Sequence, residues 1–295
     1  MSIEQIAVVG AGTMGNGIAH VFAQSGYRVT LVDVAEDALD RARATIERNL
    51  DRLIKKERLT ADGKAATLAR LTTATDLAAA AASADLVVEA ATENQAVKLQ
   101  LFAEMDRHAP AHAILATNTS SISITQIAAA TQRPGQVIGM HFMNPVPVMR
   151  LVEVIRGYAT SDATTEAILA LSAAIGKTAT EVNDYPGFVS NRVLMPMINE
   201  AVYTLWEGVA GVEEIDTVMM LGMAHPMGPL HLADFIGLDV CLSILRVLQG
   251  GFGLDKYAPC PLLINMVAAG KLGVKSGEGF YRYAAGSKEK TAVEF

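Results

Sequence analysis

The stretch "IAVVGAGTMGNGIAH", Ile6 to His20, sets an apolar β-branched run directly before Gly10, Gly12 and Gly15, and a helical pattern follows at once. Glycines spaced G-x-G-x-x-G between a strand and a helix match what a dinucleotide requires. Gly10 makes the tight turn and Gly12 lets the main chain approach a pyrophosphate. Gly15 permits close helix–strand packing, and the phosphates meet the helix N-terminus beside Thr13 and Met14. The next strand, "YRVTLVD", ends at Asp33, eighteen residues beyond Gly15. A carboxylate there accepts hydrogen bonds from the adenosine ribose hydroxyls, each charge-assisted bond contributing about 1.5–3 kcal/mol. A 2′-phosphate would meet like charge, and the following "VAED" holds no arginine to neutralise it. NAD is therefore favoured over NADP. FAD shares the fingerprint and is disfavoured by the rest of the chain, while a glycine turn that binds nothing would not need strand, helix and acid in register.

Outward from this unit the chain keeps alternating. "ADLVVEA", "AILATN", "QVIGMH" and "LVEVI" read as further strands, separated by helical segments such as Ala35 to Leu59 and Val97 to His108. A helix over Asp162–Ile175 and a short strand near Glu181 follow, and "LAAAAASA" reads as a short helix. Strands alternating with helices imply a doubly wound α/β domain of Rossmann type, its mostly parallel sheet covered on both faces. After "NDYPGF" long helical patterns take over, from Phe188 to Glu207, through "VEEIDTVMMLG" and on through "PLHLADFIGLDVCLSILRVL". Pro186-Gly187 marks a boundary. The expected organisation is a dinucleotide-binding domain over 1–184 and an all-helical domain over 185–295.

Composition removes several function classes. With 24 Lys+Arg against 31 Asp+Glu, the 295-residue chain has a formal charge of -7, the wrong sign for a nucleic-acid footprint. Two cysteines, Cys241 and Cys260, form neither a disulfide framework nor a metal cluster at their spacing, so no metal is expected. Ile6 to Tyr27 carries no full charge, yet its glycines and polar residues, and the start "MSIEQ" without a basic region, argue against a membrane span or signal peptide. A cytoplasmic protein is the expectation.

A second stretch raises a chemical question. "HFMNPVPVMRLVEV", His141 to Val154, places Glu153 inside an apolar strand run, and a buried carboxylate is costly without a partner. His141 is the candidate, because it stands at the carboxyl end of "VIGMH", where doubly wound sheets bind their ligands. A histidine suits proton exchange with an alcohol or carbonyl, and a carboxylate on its other ring nitrogen fixes the tautomer. A capped strand end beside an unrelated core histidine fits the residues alone equally well. The remaining histidines, His20, His108, His112, His225 and His231, read as structural or exposed. In "ATNTSSISI", Asn118, Ser120 and Ser121 follow another strand and are suited to bind a substrate oxygen or nicotinamide, while helix capping is the competing role for these hydroxyls.

G-A-G-T-M-G, T-N-T-S-S, H-F-x-N-P and L-V-E-V in this order, then "PGFVSNR" and "SGEGFY", resemble the 3-hydroxyacyl-CoA dehydrogenase family over nearly the whole chain. The resemblance implies NAD-linked interconversion of (S)-3-hydroxyacyl-CoA and 3-oxoacyl-CoA, with the short-chain pair 3-hydroxybutyryl-CoA and acetoacetyl-CoA as substrates. It implies that His141 and Glu153 are the catalytic pair, that Ser120 meets the substrate oxygen, and that Asn144 and Asn191 also meet the substrate, so that the site straddles both domains. It further implies that Glu93, Lys98, Asn118, Ser120, Asn144 and Lys275 lie around the cofactor, and that the helical domain forms a homodimer. The apolar Met195, Met197, Met219, Met220 and Met223 there suit either an interface or a plain core. Arg48, Arg52, Lys55 and Lys56 recur at helical spacing, a stripe suited either to CoA phosphates or to solvent; Lys55 and Lys56 fall where the family meets the nucleotide end of CoA. Two other readings remain: a dehydrogenase of a free hydroxy or sugar acid, whose relatives tend to carry proline where Phe142 stands, and a crystallin-like protein that kept the fold without catalysis.

Overall fold

A computed structural model describes residues 3–284 and 289–295, so that Met1 and Ser2 of the "MSIEQ" start lie outside the described residues. The chain divides into two units between Tyr185 and Pro186.

The first unit runs β1 (Gln5–Val9), α1 (Thr13–Gln24), β2 (Arg28–Val32), α2 (Glu36–Lys55), α3 (Ala61–Ala69), β3 (Leu71–Ala74), α4 (Leu77–Ala81) and β4 (Leu86–Glu89). It continues with α5 (Gln95–His108), β5 (Ile114–Thr117), α6 (Ile124–Ala128), β6 (Val137–Phe142), β7 (Leu151–Arg156), α7 (Asp162–Ala174) and β8 (Thr178–Asn183). The eight strands form one sheet in the order β3-β2-β1-β4-β5-β6-β7-β8. From β1 the chain moves outward to β3 and then returns to β4 on the other side, so the order reverses at β1, where such sheets open a crevice at their carboxyl ends.

Every neighbouring pair is parallel except β6 and β7. The physical reason is the connection: loop 143–150 is too short for a parallel crossover, which needs a dozen or more residues, so β7 turns back beside β6. All four residues of β4 and of β5, and all six of β6, are buried, as expected of strands covered on both faces. The α2 helix presents Leu39, Ala42, Ile46 and Leu50 to this core at helical spacing, with Glu36 and Asp37 in its first turn and Arg52 and Lys55 in its last, complementing the helix dipole.

Three expected element boundaries differ. Ala35 to Leu59 holds a helix only to Lys55, and the next turn is closed by Glu57 at positive φ. The edge strand β3 was not anticipated, because "LTTA" is short and two of its four residues are exposed. In the second unit the pattern from Pro229 to Leu248 breaks at Gly237, whose φ of 104° suits glycine and ends one helix as the next begins.

That unit comprises α8 (Ser190–Trp206), α9 (Val212–Thr217), α10 (Pro229–Ile236), α11 (Leu238–Phe252), α12 (Pro261–Ala268) and a small antiparallel pair, β9 (Tyr281–Tyr283) with β10 (Lys290–Ala292). Two buried carboxylates staple it. Asp216 accepts from Leu230 N, His231 N and Tyr281 Oη; Asp234 accepts from Phe280 N, Tyr281 N and Tyr283 Oη. Met195 belongs to this core, whereas Met223 is exposed. Cys241 and Cys260 are free thiols, and no described helix is long and apolar enough to cross a membrane.

Candidate active site

At the mouth of α1 the backbone folds too tightly for side chains. Gly10 has φ +102°, and a Cβ on it would stand 2.6 Å from Ala90 O; a Cβ on Gly15 would stand 1.7 Å from Gly10 O. A Cβ on Gly12 would meet nothing within 4 Å, so the absence of a side chain there leaves open space rather than relieving a clash. The α1 N-terminus has no side-chain cap, and its first turn has no acid, so its leading N–H groups form an anion site suited to a pyrophosphate.

Asp33 completes this end. Its Oδ2 accepts from Ala11 N at 2.8 Å and its Oδ1 from Ala35 N at 3.1 Å, which fixes the carboxylate beside the glycine turn. Each oxygen retains acceptor capacity for ribose hydroxyls. A cleft of about 950 Å³ runs from Gly10, Gly12, Thr13 and Met14 past Asp33 to apolar Val34, Leu77, Val97 and Leu101. Glycine turn, helix terminus, acid and apolar slot together fit a dinucleotide.

Beyond β4 and β5 lies a polar cluster. Glu89, the last residue of β4, is fully buried and accepts from Lys98 Nζ on both oxygens, at 2.7 and 2.8 Å, from Thr117 Oγ1 at 2.7 Å and from Ala91 N at 2.7 Å. Glu93 lies on the other side of Lys98, 3.4 Å from its ammonium. Its Oε1 gathers the loop after β5, accepting from Thr119 Oγ1 (2.6 Å), Ser120 N (2.9 Å), Ser120 Oγ (3.1 Å) and Ser121 Oγ (3.1 Å). Burial pushes the Glu93 carboxyl up, but the Lys98 charge and these donors outweigh it and hold it below the usual carboxylate range. Helix capping, one of the two roles open for these hydroxyls, falls to the neighbouring Ser123. Ser123 caps α6, accepting from Gln126 N and donating to Asp184 Oδ2, while Ser120 is held by Glu93.

Glu89 escaped the sequence reading, although the signal that marked Glu153, a carboxylate ending an apolar run, also stands in "LVVEA". Lys98, expected near the cofactor, holds its buried ammonium between Glu89 and Glu93.

One strand further, Asn118 Oδ1 accepts from Phe142 N at 2.9 Å, tying the β5 loop to the end of β6. Because β7 is antiparallel, His141 and Glu153 are direct partners in the strand register, and His141 Nδ1 lies 2.8 Å from Glu153 Oε2. Both are buried, at 8% and 2% exposure. A carboxylate only accepts, so Nδ1 carries the hydrogen, and the lone pair of the neutral imidazole is on Nε2. That is the tautomer a proton acceptor needs. Asn144 begins the cis Asn144-Pro145 bond of the loop after β6, which Lys177 holds through the carbonyls of Val146 and Met149.

Lys55 closes α2 with Lys56 as its cap, and both are exposed. In the second unit Asn191 stands in the first turn of α8, and Lys275 pairs with Asp239 at 2.5 Å. Of the other histidines, His20 is fully buried, and His112 pairs with Asp85 at 3.0 Å. Among the described residues no group of three potential metal ligands occurs.

A dinucleotide cleft, with a carboxylate-bound histidine at the carboxyl end of another strand of the same sheet, defines a nicotinamide-dependent dehydrogenase. Comparison with known proteins narrows the class. The NAD binding domain of 3-hydroxyacyl-CoA dehydrogenase matches residues 5–185, and the C-terminal domain of the same enzyme matches 187–283. The chain belongs to the 3-hydroxyacyl-CoA dehydrogenase family. It is 55% identical over 292 residues to a probable 3-hydroxybutyryl-CoA dehydrogenase of Bacillus subtilis, covering 99% of this chain and 100% of that one. It is 53% identical to a 3-hydroxybutyryl-CoA dehydrogenase of Bradyrhizobium diazoefficiens, covering 95% and 96%. The crystal structure of (S)-3-hydroxybutyryl-CoA dehydrogenase from Ralstonia eutropha superposes with a TM-score of 0.93 at 51% identity, covering 96% of this chain and 100% of that one.

Proposed function

We propose that this chain is an NAD-dependent oxidoreductase interconverting (S)-3-hydroxyacyl-CoA and 3-oxoacyl-CoA, with 3-hydroxybutyryl-CoA and acetoacetyl-CoA as the short-chain pair. The observation that carries the chemistry is the 2.8 Å contact between His141 Nδ1 and Glu153 Oε2 at the carboxyl end of β6. NAD, when bound, accepts or donates the hydride. The chain's own residues manage the proton: His141 Nε2 takes it from the hydroxyl as the carbonyl forms, and Glu153 stabilises the resulting imidazolium. In reduction the same nitrogen returns the proton.

Ser120 is assigned to the substrate oxygen and Asn144 and Asn191 to the substrate. Gly10, Gly12, Thr13, Met14, Gly15 and Asp33 hold the adenosine and pyrophosphate, with Glu93, Lys98, Asn118 and Lys275 toward the nicotinamide ribose. What supports these assignments is the match of the motifs to the family, together with the positions of Gly10, Gly12, Thr13, Met14 and Asp33 in the lining of the cleft. Exposed Lys55 and Lys56 are assigned to the CoA phosphates. A cytoplasmic homodimer formed through the second unit completes the reading. Exposed Trp206, Leu221, Met223 and Phe235 support such an interface, and sedimentation at micromolar concentration tests it.

The deciding experiment follows NADH absorbance with acetoacetyl-CoA, with NADPH and free acetoacetate as parallel substrates. Rapid loss with NADH and the CoA ester alone is expected. Turnover of free acetoacetate at the same rate would replace the substrate class, and NADH binding without turnover of either would replace the enzyme reading with a binding protein.

A further inference from the structure

The Glu89–Lys98–Glu93 line, buried at Glu89 and Lys98 and open to solvent at Glu93, is a charged feature of the first unit that the proton transfer leaves unused. The ammonium touches both carboxylates, at 2.7 Å (Glu89 Oε1) and 3.4 Å (Glu93 Oε2), and its side chain is 1% exposed. Two carboxylates and one ammonium sum to a single negative charge. Among the described residues no other cation is paired with either carboxylate. Glu89 and Lys98 are fully buried, whereas the Glu93 side chain is 40% exposed, so water screens the charge only at its outer end.

Its position follows from the cleft. Ala90 and Ala91, directly after Glu89, line the dinucleotide cleft, and Glu93 holds Ser120 Oγ at 3.1 Å. If Ser120 meets the substrate oxygen, as the proposed function has it, the substrate carbon lies within about 3–3.5 Å of the nicotinamide carbon that exchanges hydride. Glu93 then lies roughly 8 Å from the ring. The oxidised nicotinamide is a cation, and the reduced one is neutral.

We propose that the Glu89–Lys98–Glu93 line discriminates between the two oxidation states of the cofactor, its net negative charge holding oxidised nicotinamide more tightly than a neutral floor would and leaving the reduced ring unaffected. Glu93 is then a specificity-determining residue for redox state, and Glu89 a positioning residue that holds Lys98 between them. On the protein the equilibrium is drawn toward oxidised cofactor and hydroxyacyl product. The His141–Glu153 pair adds its own charge according to protonation, a contribution that substitution at Glu93 leaves in place.

Glu93→Gln keeps an amide oxygen for the Thr119, Ser120 and Ser121 donors while removing the charge. NADH affinity is read by fluorescence titration, NAD+ by displacement of NADH, and ADP-ribose, which lacks the nicotinamide, serves as the control for damage to the cleft. The expected result is a fall of about 5–30-fold in NAD+ affinity, the effect of one charge at about 8 Å across an effective dielectric between 20 and 40. Any loss of the ribose contact lowers NADH, ADP-ribose and NAD+ affinity alike, so the fall of about 5–30-fold is read in the NAD+-to-NADH affinity ratio, which Glu93→Asp restores. An equal change in NAD+ and NADH affinity, or no change in either, overturns the discrimination while leaving the proposed function standing. Failure of the parent chain to bind either form overturns both.

Discussion

His141 and Glu153 are direct partners across the one antiparallel contact in the sheet, with Nδ1 and Oε2 2.8 Å apart. Twelve residues separate them in sequence, but the short return of the chain after Asn144 brings them face to face. A histidine held this way keeps one tautomer and one orientation. His141→Gln is expected to lower turnover about 10²–10⁴-fold, the usual contribution of a general acid-base group, with NADH affinity nearly unchanged. Steady-state kinetics beside a fluorescence titration checks both halves, and unchanged turnover would remove His141 from the chemistry.

Glu153→Ala reduces turnover and also stability. It leaves a buried imidazole without its carboxylate partner, a loss of about 1–3 kcal/mol. Denaturant unfolding measures the second effect; activity and stability both at the parent level would refute the pairing.

Gly12→Ala and Gly15→Ala should part company. The added Cβ at Gly12 meets no protein atom within 4 Å, so the fold is expected to keep its stability while NADH binding weakens by tenfold or more, on the order of one lost close contact to the pyrophosphate. At Gly15 the Cβ would sit 1.7 Å from Gly10 O, so the turn itself must move, and both stability and binding fall. Thermal melts with and without NADH separate the two; equal losses of stability would show that the turn is not built this tightly.

Asp33→Asn retains an acceptor for Ala11 N but removes the charge that the proposed function assigns to the ribose. NADH affinity is expected to fall about tenfold, the loss of one charge-assisted component, and the preference over NADPH to narrow. Parallel titrations with the two reduced cofactors measure this, and an unaltered preference would place the discrimination elsewhere.

His20 supplies the pH dependence. Burial lowers its pKa from 6.5 to about 4, with Gln24 opposing the shift more weakly and the Lys177 charge adding to it. The unfolded chain therefore takes up the proton first. Stability is at its full value above pH 6.5 and is lost as pH falls toward 4, by at most about 3 kcal/mol from this group. His20→Leu should flatten the decline between those values, as measured by denaturant midpoints across that range. A parallel decline in parent and variant would assign the acid sensitivity to other groups.

The dinucleotide end was legible in the chain because its signals are local. Gly10, Gly12, Gly15 and Asp33 act through turn geometry and strand length, which nearby residues dictate. Near Pro186 strand runs give way to helical ones, and the chain divides into two units between Tyr185 and Pro186. Less local features were missed or shifted: β3 is a half-exposed edge strand with little pattern to show, and the break at Gly237 lies inside a continuous apolar periodicity.

The residues alone left the link between His141 and Glu153 open, and the family likeness supplied it as an expectation; the antiparallel turn of β7 is what realises it. The same holds for Glu93, whose carboxylate gathers Thr119, Ser120 and Ser121 from a loop some twenty-seven residues away, and for Glu89, whose buried charge is matched by Lys98. Periodicity and turn chemistry act over a few residues and so can be read along the chain. Which buried acid meets which base is settled by strand order and register, and those exist only once the sheet has formed.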